Sequence, residues 1–446
     1  MRYPSAIRYL YSFLNFEQLP FEYRREFNLE RMRTLLSWFD FPDRAFSSIL
    51  IAGTKGKGST ASFLSSMLTQ NRYRAGLYTS PHLSDPRERI KIGTRSISKS
   101  DFARLMMQIK RVVEPRKTLF RSKGPATFFE IFTLLSVLYF AEQKVDFGLF
   151  EVGMGGRLDA TNMLKPLLSI ITSVSFDHEE HLGHSLRLIT REKAAIIKPY
   201  GISVIGRQGI EAKRVIRSQI RKQRGRSYFL GSDFKVWNEK ISLGGGRFHF
   251  RFGRESLFGL QIKQLGRVQI ENAAVALGAL FALVRFYHIP FSRKAARTGL
   301  RQAFWPGRFE VIKWKGRTVV LDGAHNGASM KAFSGALNEL FPRRKPVFIL
   351  GTSREKNLNL LLKPLLSSAS AVVVTQSKNP RAQEPKVILE SLNAQGFKHP
   401  TYWARHLNLA VPLAERIASS GSILVVTGSL FLAGEAREYF KCRTFV

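Results

Sequence analysis

At 446 residues and 44% hydrophobic content, the chain is too long for one ordinary core and too apolar to be disordered throughout. Lys and Arg total 70 against 33 Asp and Glu, a net charge of +37; the basic residues are spread along the chain in no arm or tail, so a general compositional bias is a plainer account than a nucleic-acid role. The single cysteine, Cys442, excludes an internal disulfide and fits a reducing compartment.

The N-terminal stretch MRYPSAIRYLYSFLNFEQ is broken by Arg, Asn, Glu and Gln before a signal-peptide core can form. Ser48–Gly53 predicts a strand, and the segment after it predicts a helix with Phe63, Leu64, Met67 and Leu68 on one face. Ala75–Thr79 and Asp146–Val152 predict strands, with a long apolar helix from about Thr127 to Gln143 between them. That helix holds the most apolar run, Phe128 to Ala141, which is too short to span a bilayer and carries Glu130. Leu168–Val174 and Ile202–Ile205 continue the strand series, and the alternation implies a parallel, doubly wound sheet. Between about Ser227 and Ile262 short strands with glycine turns predict a small β-rich subdomain. Val268–Tyr287 predicts a helix, and a second helix runs to about Ala303. AFWPGRFEV, from Ala303 to Val311, holds Pro306-Gly307 and reads as a linker. Strands are then expected near Thr318–Leu321, Val347–Leu350, Ala371–Thr375 and Ile423–Thr427. The expected organisation is α/β: a doubly wound domain over residues 1–303 with a β-rich insertion, a linker over 304–310, and a smaller Rossmann-like α/β domain over 311–446. A soluble cytoplasmic protein is expected.

GTKGKGS, from Gly53 to Ser59, follows the first strand and precedes a helix, where free backbone N–H groups and the helix dipole favour phosphate. It does not fit G-x-x-x-x-G-K-[ST]: counting back from Gly56-Lys57 puts the first glycine on Ile51, and the hydroxyl of Ser59 comes one position late. Gly53, Gly56 and Gly58 allow close backbone approach, Lys57 can reach terminal phosphates, and Ser59 or Thr60 can assist. Glu151 ends a hydrophobic strand at the sheet edge where such folds bind ligands; it reads either as a Mg²⁺ ligand or as a loop salt-bridge partner. In SFDHEEHLGHS, Asp177 and His178 emerge at the same edge, and His178 suits a metal ligand or an orienting group. His178, His181 and His184 form H-x-x-H-x-x-H without cysteines in a glycine-bearing loop, which does not read as a zinc site. Lys193 lies on a helix just beyond, where most lysines are solvated. Asp322 and His325, in LDGAHN, sit at a strand-to-helix turn of the second domain, with Asn326 and Ser429 readable as helix caps.

GTKGKGS, TSPHL, TFFE, EVGMGGRLDATN, SFDHEEHLGHS with REKAAIIK, QIENAA, WPGRFE, LDGAHN and VTGSLFLAGE occur in one order over nearly the whole chain. This closely resembles the folylpolyglutamate synthase / dihydrofolate synthase family of the Mur ligase superfamily, whose shortened glycine loops account for the spacing. The resemblance implies ATP-driven addition of L-glutamate to dihydropteroate or folates through an acyl phosphate. Carried over residue by residue, Gly56, Lys57, Gly58 and Ser59 match the ATP loop, and Asn272, Arg308 and Asp322 match further ATP contacts. Ser80 and Glu151 match ligands of one Mg²⁺, and His178 matches a ligand of a second. Lys193 matches the lysine that the family carbamylates, which turns an amine into an anionic oxygen ligand. Thr127, Phe128, Phe129 and Glu130, with Leu158, Asp159 and Ala160, match stretches that hold the pterin. Lys57, His178, Lys193 and His325 are the implied catalytic residues. ATP would lie between the domains, so their closure would gate the reaction.

The chain departs from the family at several points. Lys55 replaces the asparagine of GTNGKGS, and its ammonium either adds phosphate attraction or points to solvent. Val268 replaces a frequent His, Ala195 replaces the glycine of EKAGIIK, and SREKN at Ser353–Asn357 replaces a Lys-Asp pair. Two rival readings are weaker. A cell-wall ligase acting on a UDP-linked peptide is disfavoured by LDATN and by the short stretch before Gly53. A nucleic-acid-binding protein would show RNP, zinc-knuckle or helix-turn-helix signatures, and the sequence has none. The expected partners are ATP, L-glutamate and a pterin acceptor, with no specific nucleic acid and no membrane, and a monomer is expected.

Overall fold

The structure, a computed structural model, describes residues 1–17, 23–120, 124–366 and 368–442. Two sheets organise it. The first is built from β1 (Ser47–Ala52), β2 (Ala75–Tyr78), β3 (Ile90–Ile92), β4 (Arg95–Ser96), β5 (Phe147–Glu151), β6 (Pro166–Ile171), β7 (Ile202–Ile205) and β8 (Arg226–Phe229). Their order across the sheet is β4-β3-β2-β5-β1-β6-β7-β8.

The central strands read as continuous apolar runs because both faces are covered. Ile49 and Ile51 of β1 point into one core with Phe63, Leu64, Met67 and Leu68 of α1 (Lys57–Gln70), while Leu50 and Ala52 point into the other. That other face is closed by α2 (Phe128–Glu142), whose Phe132, Leu135 and Phe140 are fully buried. Downstream lies α3 (Leu186–Ala194), which delivers Lys193 to the centre. The longest helix, α4 (Arg267–Tyr287), is apolar enough to cross a membrane by length and composition, but 67% of its apolar window is buried inside the protein. Its Ala273, Ala274 and Leu277 pack in the α1 core.

The expectation of a parallel sheet holds for β2, β5, β1, β6, β7 and β8 only. On the other edge β3 and β4 run antiparallel, because the short polar segment KIGTRS turns back at Gly93 and needs no crossover helix. The β-rich segment also begins later than expected. Residues of β8 complete the main sheet, and only β9 (Phe234–Ser242), β10 (Gly245–Phe252) and β11 (Glu255–Ile262) form the separate antiparallel sheet.

The second sheet has the order β12-β13-β17-β14-β15-β16, from β12 (Glu310–Trp314), β13 (Arg317–Leu321), β14 (Pro346–Leu350), β15 (Ala371–Val374), β16 (Thr401–Trp403) and β17 (Ile423–Thr427). The two edge strands, β12 and β16, escape the sequence reading: both are partly exposed and carry no clean alternation of buried and open positions. After β13 the chain enters α5 (Gly327–Leu340), capped by Asn326, whose side chain accepts from the Ser329 N–H. Ser429 likewise caps the last helix. The chain passes between the two sheets through the irregular stretch 303–309.

Candidate active site

The C-terminal ends of the parallel strands of both sheets face one cavity of about 560 Å³. From the first lobe come residues after β1, β2, β5, β6 and β7; from the second come Asp322–His325 after β13, Ser353 after β14 and Ser429 after β17. This is the edge at which open α/β sheets bind ligands, here supplied twice.

The glycine loop forms one wall. Gly56 takes φ +84° as the N-cap of α1, and a Cβ there would lie 2.2 Å from Asn272 Oδ1, so only glycine lets α4 press against the loop. Gly58 gives way to a ring: a Cβ would stand 2.6 Å from the Trp305 indole of the connecting stretch. Lys57 bends back so that its Nζ donates to the Gly53 carbonyl at 3.3 Å and stands 3.8 Å from Glu151 Oε1. Ser59 is buried at the helix start, and Thr60 Oγ1 is buried with no hydrogen-bond partner.

Glu151 is 5% exposed and accepts the Ser80 N–H at 3.3 Å, which places these two expected metal ligands side by side. Burial pushes its carboxyl above the usual range, with Lys57 pulling the other way. Lys193 is 4% exposed, and its Nζ donates to the same Gly53 carbonyl at 3.2 Å. Burial, then the Lys57 ammonium, pull its pKa down to about 7. This corrects the default reading of a solvated lysine: α3 turns the side chain inward. His178 takes a left-handed backbone, φ 53°, and lies open to the cleft.

Asp177, beside it, is the hub of the seam. Lys55 Nζ lies 3.2 Å from Asp177 Oδ2 and Lys356 Nζ lies 3.4 Å from Oδ1. Burial alone would raise the Asp177 carboxyl, but Lys55, His178 and Lys356 hold it well below the ordinary carboxylate range. Burial, then the Asp177 charge acting in the opposite sense, leaves the Lys55 ammonium at about 8. Lys55 Nζ is also 3.2 Å from His325 Nε2. Of the two alternatives left open for Lys55, the solvent-directed one is therefore excluded.

Arg308 and Asp322 line the same cavity as Lys57. Asp322 accepts the Phe309 N–H at 2.8 Å and the Ala324 N–H at 2.7 Å, so its carboxylate also fastens the connecting stretch to β13. Asn272 donates to Gln269 Oε1 at 3.0 Å and faces the loop.

At the far end Thr127, Phe129 and Glu130 line the cavity with Leu158, Asp159 and Ala160. Phe128 does not: it is 1% exposed and packs against Phe132, one helical turn on, in the core. Glu130 is committed to a capping box with Thr127 and to a buried pair with Arg31. Asp159 is fully buried and accepts from the Gly153, Met154 and Thr161 N–H groups, which shapes the loop carrying Leu158. His181 lies on the cavity rim, and among the described residues no group of three His, Cys, Asp or Glu side chains converges on a point. The residues that sequence reasoning did not place in the site are Lys356, Trp305 and Arg31. Asp177 is expected at this edge but with no role, because its partners Lys55 and Lys356 are distant in sequence.

Residues 51–280 match the family described as Mur ligase middle domain, and residues 307–430 match that described as Mur ligase, glutamate ligase domain. Among curated proteins, a dihydrofolate synthase/folylpolyglutamate synthase of Bacillus subtilis is 32% identical over 93% of this chain and 95% of its own length. Among solved structures, a Mycobacterium tuberculosis folylpolyglutamate synthase complexed with ADP superposes with a TM-score of 0.91 at 28% identity, covering 99% of this chain and 98% of that one. An E. coli FolC structure in complex with DHPP and ADP gives 0.85 at 25% identity, with 99% and 98% covered.

Proposed function

The chain belongs to the dihydrofolate synthase/folylpolyglutamate synthase family of Mur ligases, and from that premise we propose that it joins L-glutamate to the carboxylate of dihydropteroate, of folate (poly)glutamates, or of both, with ATP cleaved to ADP and phosphate. The observation that carries this reading is the shared cavity: the phosphate-type loop of one lobe and the Arg308, Asp322 and His325 cluster of the other open onto the same space.

The acceptor carboxylate would attack the γ-phosphorus, ADP would leave, and the glutamate amine would then attack the acyl phosphate, lose its proton and expel phosphate. Such phosphoryl transfer leaves little covalent work to the protein, so charge placement decides the rate. The amides at the start of α1 and the Lys57 ammonium receive the phosphates, with Ser59 and Thr60 at hand. Asn272 and Arg308 hold the nucleotide from α4 and the connecting stretch, and Asp322 keeps that stretch in place. Phe129, Leu158 and Ala160 supply an apolar bed for the pterin, while Glu130 and Asp159 set its shape. His325 faces the glutamate side of the seam. Residues 1–303 act as the nucleotide- and pterin-binding domain and 311–446 as the glutamate-ligase domain, closing about 304–310. The active form is a cytoplasmic monomer working on small molecules, with no nucleic acid and no membrane.

One donor set suits Mg²⁺ directly: the buried Glu151 carboxylate has a single backbone donor, and Ser80 lies beside it. The second set, His178 and Lys193, suits it only once Lys193 carries a carbamate, since an ammonium cannot ligate a cation. The buried amine of Lys193, bonded among the described residues to one carbonyl and with its pKa pulled down to about 7, has the chemistry that carbamylation needs. When bound, Mg²⁺ would neutralise phosphate charge and polarise the reacting oxygens.

The test is purified protein with ATP, Mg²⁺ and labelled glutamate, and dihydropteroate or tetrahydrofolate supplied separately. Label transfer to at least one acceptor with ADP release is expected; transfer to neither refutes the proposal. Lys193→Ala should lose most activity, and full retention refutes the carbamate.

A further inference from the structure

Lys55 has no part in that reading, yet its surroundings give it one. It sits in the glycine loop of the first lobe, facing His325 and Lys356 of the second. His325 Nδ1 lies 2.8 Å from the Gly323 carbonyl, so Nδ1 carries the hydrogen and Nε2 presents its lone pair. The Lys55 ammonium is then the donor in the 3.2 Å contact with that nitrogen. In the opposite direction, Lys356 of the second lobe donates to Asp177 of the first at 3.4 Å. Asp177 also receives Lys55 at 3.2 Å, so the two crossings share one carboxylate. The three charged side chains are 26%, 7% and 17% exposed for Lys55, Asp177 and Lys356, well shielded for a seam between lobes. A second charged crossing, Arg267 to Glu339, is 57% and 37% exposed and so contributes far less.

We infer that Lys55 is a positioning residue: with Asp177 and Lys356 it ties the glycine loop to the second lobe, holding the cleft closed before any substrate arrives. An asparagine at this position, as in GTNGKGS, is two methylene-lengths too short to span from the loop to His325 with a cationic head. The tie acts on the closing equilibrium, so its loss lowers the fraction of protein competent to bind ligands that bridge both lobes. The kinetic part of this inference rests on the ligase reading; the structural part does not.

The test uses the full chain with Cys442→Ser, and spin labels on Lys222→Cys and Lys386→Cys, both exposed and one in each lobe. Distances between the labels are measured without ligands. Lys55→Met is expected to shift the distribution to longer, broader distances, and Lys356→Met to do the same from the other side. In steady state Lys55→Met should raise KM for ATP and glutamate about fivefold and leave kcat within about twofold, because saturating ligands close the cleft themselves. If Lys55→Met fails to fold, as circular dichroism would show, Lys356→Met carries the test. Distributions that superimpose on the parent in the folded variants overturn the inference. So does a fall in kcat with distances unchanged, which would assign Lys55 to the transferring phosphate. If neither acceptor is glutamylated, the ligand-free distances still decide.

Discussion

Arg31→Met tests how the acceptor end of the cavity is held. Arg31 Nε lies 3.0 and 3.1 Å from the two Glu130 oxygens, and the side chains are 3% and 6% exposed. Removing the guanidinium leaves the buried carboxylate with the Thr127 N–H, at 2.8 Å, as its remaining close donor among the described residues. Breaking a buried pair from one side costs about 3–5 kcal/mol. For a lobe of this size that is a fall of roughly 6–20 °C in the first calorimetric transition. The cost depends on pH in a stated direction. Burial already raises the Glu130 carboxyl above its ordinary 4.5, and Arg31 opposes that; without Arg31 it rises further. Between the ordinary value and the raised one, the folded state binds more protons than the unfolded state, so stability falls as pH rises through that window. The deficit of Arg31→Met against the parent should therefore be smaller near about pH 5 than near about pH 7.5. Adding Glu130→Gln should restore part of the loss, since no charge is then stranded. A deficit below about 1 kcal/mol, or one equal at both pH values, would mean that water reaches the pair and the reasoning fails.

Three further outcomes follow from the loop and its neighbours. Gly56→Ala must strain a left-handed residue and displace Asn272, a penalty of about 1–2 kcal/mol. It should raise KM for ATP by about five- to thirtyfold, with KM for glutamate little changed; equal effects on both would show that the loop is not the nucleotide side. Trp305 packs on Gly58, so ATP binding should change tryptophan emission, and Trp305→Phe should abolish most of that change; an undiminished response would move the nucleotide away from this wall. Glu151→Gln keeps the Ser80 contact but removes the charge, and the Mg²⁺ concentration giving half-maximal ADP release should rise by at least about tenfold. An unshifted Mg²⁺ requirement would remove Glu151 from the metal site.

How far the sequence alone reaches depends on whether the determining contacts are local. β1 and α1 are legible because alternate residues of β1 serve different cores and α1 buries Phe63, Leu64, Met67 and Leu68 on one side. The start of α2 is written in its capping box, Thr127 with Glu130. The same helix shows where a motif misleads: TFFE reads as one substrate-binding stretch, yet successive residues of a helix turn by about 100°. Phe128 therefore joins Phe132 in the core while Phe129 faces the cavity. The helical spacing of Phe128 and Phe132 was a readable signal for that division. The inward turn of Lys193 was not readable, because it depends on Gly53, distant in sequence, offering a carbonyl.

Lys55 marks the limit most sharply. Its partners Asp177 and His325 are 122 and 270 residues away, and the His325 contact exists only when two lobes with separate cores meet. No local pattern encodes them, whereas the lysine itself is plain as a departure within the glycine loop. A residue that breaks a local pattern without disturbing the local backbone is free to be explained by something distant, and here the distant partners are a buried carboxylate and an imidazole with its lone pair exposed. That is why the departure is informative: the loop's geometry needs its glycines, while position 55 reports on how the lobes are joined.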